Sequence, residues 1–279
     1  MGAVLDGKLA VMGGFTSSSF AVTSRVDTYD PVTDSWGRRA DLPGAQTHVG
    51  IAVDGETLYA VGGLLNYPLT PWGETWVLDV ATDTYAAGPP LPESRSAMVL
   101  ALAGHTLFAF GGLGPDGQTD ATDAFAWDVS TSAWSPAPAM PNPRNHLGGV
   151  AVGGRVYAIA GRHGWDEVAG DQASVDAFDA QTSSWGALAD IPLARSEIAA
   201  ATFTDGTSIV VVGGSISGVH PTDSVAVYDI PTNTWRTLPP LPQPRKGAVA
   251  AVIGHTLVVT TGSPTSVDPD GTTFVGCCL

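Results

Sequence analysis

Four of the ten arginines share one sequence context. Arg95, Arg144, Arg195 and Arg245 each close an apolar-Pro-x-x-Arg motif, and Gln46 fills the same place at the first such site. Two residues further on stand His48, His146 and Glu197. Arginine presents a planar fork of donors that matches a carboxylate, so these side chains gathered together would bind an acidic ligand. The same arginines would serve equally as ties between neighbouring loops, because motif residues often hold a fold together. A second set, Trp72, His163 and Trp165 with Tyr67 and His220, mixes flat apolar rings with hydrogen-bonding groups. Such a surface suits a sugar or a peptide, and the rings would otherwise pack their own loops.

Other chemistry is scarce. Asp116, Asp120 and Asp123, and the pair Asp268 and Asp270, lack the alternating layout of an EF-hand loop and read as solvated carboxylates. No nucleophile elbow, phosphate loop, His-Glu-x-x-His or dinucleotide fingerprint occurs, so no catalytic residue, metal or cofactor is expected. The only cysteines, Cys277 and Cys278, are adjacent and offer neither a disulfide framework nor zinc spacing. A net charge of −15 would repel a phosphate backbone, which argues against nucleic acid as a partner. The opening residues lack the basic and apolar regions of a signal peptide. Segment 97–112 is apolar enough to suggest a membrane span, but Gly104-His105-Thr106 at its centre predicts two short strands around a turn.

The elements that position these residues follow from an internal repeat. Apolar runs end on Gly13, Gly62, Gly111, Ala160, Gly213 and Thr261, spaced by 48 to 53 residues, and each is followed by glycine. An aromatic recurs at Trp36, Tyr85, Trp134, Trp185 and Trp235, with an apolar-Pro pair after it and an apolar-Asp pair before it. Each unit reads as four short strands: a small-residue strand a (49–53, 149–152, 248–252), strand b ending on the glycines, strand c, and strand d bearing the aromatic. Short, evenly spaced strands with periodic Gly and aromatic marks predict an all-β, six-bladed β-propeller of four-stranded antiparallel blades. Strand a should lie innermost, and at least one glycine of the pairs at Gly62 and Gly111 should have positive φ. The expected organisation is one domain over 1–279, with blades near 1–40, 41–89, 90–138, 139–189, 190–239 and 240–279. The last blade is incomplete at about three strands, which reads as a fragment of a longer chain because bare edges are usually covered.

The Gly-Gly, Tyr-Asp and Trp pattern resembles the kelch repeat across the whole chain, within the galactose oxidase/kelch-like superfamily. The copper radical site of galactose oxidase needs a cysteine joined to a tyrosine within the propeller, and cysteines confined to positions 277 and 278 argue against it. Alternate turns of a meander fall on opposite ends, and the b–c loops vary in length, so the b–c/d–a side is the expected functional face. The leading reading is a non-catalytic scaffold that recognises a protein segment or a glycan there, with an anionic group suited to the arginines, and that acts away from membranes as a monomer apart from its open sixth-blade edge. A second reading is a sugar-processing enzyme resembling sialic acid mutarotase (N-acetylneuraminate epimerase), with Arg195 as carboxylate clamp and Glu197 as acid/base. A third is a structural propeller of a larger protein.

Overall fold

The computed structural model describes residues 1–65, 70–165, 170–217 and 219–277. Six small antiparallel sheets form a six-bladed β-propeller. The first blade runs in meander order through Gly2–Leu5, Lys8–Met12, Val26–Asp30 and Ser35–Arg38. The second repeats this with Gly50–Asp54, Thr57–Val61, Thr75–Asp79 and Thr84–Ala87. The third, fourth and fifth open with strands Val99–Ala103, Gly148–Val152 and Thr202–Thr204. The sixth sheet has three strands, Val249–Ile253, Thr256–Thr260 and Thr273–Cys277. Segment 97–112 resolves into strands Val99–Ala103 and Thr106–Phe110 around a tight turn, as its central Gly104-His105 predicts. No helix among the described residues is long and apolar enough to cross a membrane.

Small side chains decide the radial order. Each strand a touches the strands a of both neighbouring blades, and residues such as Gly50, Gly149 and Ala250 allow that crowding. The wider outer gaps take rings: the indole N–H groups of Trp134, Trp185 and Trp235 donate to the carbonyls of Pro89, Pro138 and Ala189 on the preceding blade. Apolar clusters fill every gap between blades, and Leu9 and Tyr29 pack on Val249, Ala251 and Val258 to join the first blade to the sixth.

The paired residues that end strands b make a close inter-blade contact. Both members of each pair have positive φ, for example 64° and 116° at Gly62 and Gly63. The second glycine's N–H donates to the carbonyl of the motif residue in the next blade. These bonds are Gly14 to Gln46, Gly63 to Arg95, Gly112 to Arg144, Gly161 to Arg195 and Gly214 to Arg245, at 2.7–2.9 Å.

Candidate functional site

The motif arginines lie elsewhere than the channel mouth expected from sequence. Arg95, Arg144, Arg195 and Arg245 are each 0% exposed. Two positive-φ residues turn strand-end carbonyls out of the ladder, and buried carbonyls need donors. Arg144 supplies them, reaching Ala160 O at 2.6 Å, Ala158 O at 2.9 Å, Asn142 O at 2.8 Å, Ser174 O at 3.1 Å and the Asp176 carboxylate at 2.9 Å. Arg95 binds the carbonyl and carboxylate of Asp123, and Arg245 binds Gln243 and Asp270. Arg195 has only carbonyls and the Ser224 hydroxyl, and burial brings its guanidinium down to about 10. Each arginine therefore clamps its own blade with its side chain and the preceding blade with its backbone. The clamp pairing of Arg195 with Glu197 is corrected by this burial. Gln46, 1% exposed, is also enclosed. The aspartates expected to be solvated are partners too: Asp123 and Asp270 of these arginines, and Asp120 of Asn145.

The residues two positions on do converge. His48, Ala97, His146, Glu197 and Gly247 adopt left-handed φ of 51–61° where the chain turns into strand a. Their backbones form a belt around the axis: Ala97 N–H donates to His48 O, His146 to Ala97, Glu197 to His146, and Gly247 to Glu197, at 2.9–3.1 Å. All five line a cavity of about 640 Å³ on the b–c/d–a side, within the usual range for ligand pockets.

The polar base of this cavity is a connected group. Arg162 NH1 donates to Glu197 Oε1 at 3.0 Å, and Arg162 NH2 donates to His146 Nε2 at 3.2 Å. His146 Nε2 lies 3.5 Å from Glu197 Oε1, and His48 Nε2 lies 3.8 Å from Glu197 Oε2. A guanidinium can only donate, so His146 Nε2 accepts and its proton sits on Nδ1, facing Asn145 Oδ1. That carboxamide is oriented because its Nδ2 donates to Asp120 and to Gly164 O. Burial pushes the His146 imidazole well below its usual 6.5, and the Arg162 cation adds to this. Burial alone would raise the Glu197 carboxyl, but His146, His48 and Arg162 outweigh it and hold the group well below 4.5.

These shifts have a direction that denaturation can read. Below about pH 6.5 the unfolded chain takes up a proton that folded His146 does not, so stability falls as pH drops. The expected slope from this group is up to ~1.4 kcal/mol per pH unit, and the Glu197 contribution is lost only below about pH 4.5. Denaturation midpoints between about pH 7.5 and 5 in metal-free buffer should slope less in His146→Asn than in the wild type. Equal slopes would mean that His146 is protonated within the fold.

Apolar side chains rim the opening. Phe20, Trp165 and Val267 are 40%, 42% and 44% exposed, and all three line the cavity. Phe20 stands edge-on to Phe15 at 5.2 Å, Phe15 to His48 at 5.8 Å, and His48 to His146 at 4.7 Å, a file of rings from rim to base. Lys246, half-buried on the wall, has no carboxylate within 4.0 Å among the described residues.

Of the aromatic set, Trp165 alone among the described residues lines the cavity. Trp72 packs against Gly44, exposed His163 faces Asp120 at 3.4 Å, and His220 lies in a short hairpin with Ile216. Tyr67 is outside the described residues. Sequence reasoning passed over Arg162, Lys246, Phe15 and Phe20. A signal for Arg162 exists, since the residue after each diglycine reads Phe15, Leu64, Leu113, Arg162, Ser215 and Ser263, with one charge among them.

Comparison with known proteins agrees with this architecture. The KLHDC2/KLHL20/DRC7 Kelch-repeats domain matches residues 86–262, more than half of the chain. The chain belongs to the kelch-repeat family. It is also similar to the Kelch repeat protein M-T9 of Myxoma virus (strain Lausanne), with 30% identity over 101 residues. That stretch is 36% of this kelch chain and 19% of the viral protein. Kelch propellers generally bind protein partners.

Proposed function

We propose that this kelch propeller is a non-catalytic module that takes a protein segment into its axial mouth on the b–c/d–a side. An apolar side chain enters between Phe20, Trp165 and Val267, and an acidic group on the same segment reaches Lys246. The observation that carries this reading is the convergence on one cavity of three exposed large apolar side chains and a lysine with no carboxylate partner among the described residues. Exposed apolar surface rimmed by polar groups marks interaction sites, and anchors seated in pockets supply most binding energy. Phe20 adds support, since a bulky residue with φ of 59° is uncommon and such strain collects at binding sites. Among the described residues of the cavity Arg162 pairs with Glu197, which leaves Lys246 as the charge that favours an acidic partner.

The test is fluorescence titration with a peptide holding adjacent Phe and Asp, its Asn analogue, sialic acid and glucuronate. The Asp peptide should bind at least ~10-fold more tightly than the Asn form at low salt. High salt and Lys246→Gln should each erase that difference. Binding of the two sugars alone would replace the protein segment with an acidic glycan. Equal affinity for the Asp and Asn peptides would remove Lys246 from the site.

A further inference from the structure

The base of the cavity carries a second kind of chemistry. His48, His146 and Glu197 each offer a ligand atom, and these three atoms lie within 4.8 Å of one another. A zinc ion bonded at about 2.0–2.2 Å holds its ligands roughly 3.4 Å apart, so small side-chain rotations would close the group around an ion. The donors are prepared for this. His146 has its proton on Nδ1, held by Asn145, and its unprotonated Nε2 lies 3.5 Å from Glu197 Oε1. Asn145 is itself fixed by Asp120 and Gly164, and outer groups of this kind orient metal-ligating histidines. The His48 ring is uncommitted, with Nδ1 buried and without a hydrogen-bond partner, and Nε2 facing Glu197 Oε2.

We propose that His48, His146 and Glu197 bind one divalent transition metal ion, zinc by preference, with a coordination position open to the axial cavity. Two nitrogen donors and one oxygen suit zinc or its first-row neighbours, whereas calcium and magnesium require oxygen ligands. Three protein ligands on a cavity floor leave room for a further ligand from solvent or from a bound molecule. This site stands whether or not a peptide occupies the rim.

Arg162 gives the proposal its sharpest consequence. The guanidinium takes Oε1 of Glu197 and leaves Oε2 toward His48, but it also donates to His146 Nε2. An entering ion must displace that second bond and then share one carboxylate with a cation. Removing the Arg162 charge should therefore tighten metal binding, the reverse of what loss of an ordinary structural contact would do.

The experiment uses the untagged full chain stripped with a chelator. Zinc is titrated by calorimetry and cobalt(II) by visible absorption, in the wild type, His48→Asn, Glu197→Gln and Arg162→Gln. His48 has φ of 55°, which asparagine tolerates, so the first variant removes the ligand and keeps the backbone. We expect one equivalent of zinc per chain, cobalt bands of a four- or five-coordinate site, and loss of both in His48→Asn and Glu197→Gln. Arg162→Gln should bind zinc at least ~10-fold more tightly than the wild type. Absence of uptake, uptake unchanged in His48→Asn, or weaker uptake in a folded Arg162→Gln overturns the proposal. Circular dichroism establishes which variants fold, and His48→Asn decides the question where a buried-residue variant does not.

Discussion

Arg144→Ala is expected to lower stability by about 3–5 kcal/mol, the cost of removing one partner from a buried ion pair. The substitution strands Asp176, 7% exposed, together with four carbonyls that the guanidinium now serves. Asp176→Asn should cost less, because the amide keeps an oxygen for Arg144 and leaves the four carbonyl bonds intact. A double-mutant cycle separates the ion pair from the carbonyl network: the network predicts that most of the Arg144→Ala loss persists in the Asp176→Asn background. Urea denaturation measures all four proteins. A loss below about 1 kcal/mol for Arg144→Ala would mean that water replaces the side chain, and the clamp would carry no weight.

The second large effect falls on the diglycines, and it distinguishes their two positions. Gly112→Ala is expected to cost about 3 kcal/mol or more, and Gly111→Ala about 1–2 kcal/mol. At Gly112 φ is 88°, and a Cβ would run into Ser96 O and lie 2.8 Å from Met98 Cβ and 3.0 Å from Met98 Cα, in the segment that leads into the innermost strand of its own blade. At Gly111 φ is 60°, and the added atom would meet Arg144 O at 2.5 Å. That contact is close, yet the fourth blade places Ala160 at the same position with φ of 52° and keeps the bond from Gly161 N–H to Arg195 O at 2.8 Å. Thermal denaturation of the two variants checks the order. A costlier Gly111→Ala would show that the first position, rather than the second, fixes the approach of the blades.

The blades were legible because their marks answer to geometry that every blade shares. A strand crowding the axis must be small, a strand end meeting the next blade must have positive φ, and an outer gap must be filled by a ring. Those demands recur near every fiftieth residue, as Gly63, Gly112, Gly161 and Gly214 illustrate. The convergence of His48, His146 and Glu197 was legible for the same reason, since they occupy one column of the repeat. The destination of the arginines was not. A Pro-x-x-Arg motif places the backbone, but whether the guanidinium turns to the channel or under its own blade depends on where carbonyls are left unpaired. That depends on both residues of the pair leaving the ladder, and the sequence marks their spacing without their effect on Ala158 or Ala160. Arg162, Lys246 and Phe20 escaped notice because each is an exception within its column or lies in a loop of one blade.

The most direct test of recognition at the axial mouth is a peptide-library selection on the wild type, followed by affinity measurement on two surface variants. Trp165→Ala alters the rim of the cavity, and Val32→Asp alters a c–d turn at the opposite end, where Val32 is 88% exposed. Selected peptides should pair an apolar residue with a nearby Asp or Glu, lose at least ~10-fold in affinity on Trp165→Ala, and bind Val32→Asp like the wild type. Peptides that bind Trp165→Ala undiminished and fail on Val32→Asp would contradict a mouth on the b–c/d–a side and place recognition at the other end of the propeller.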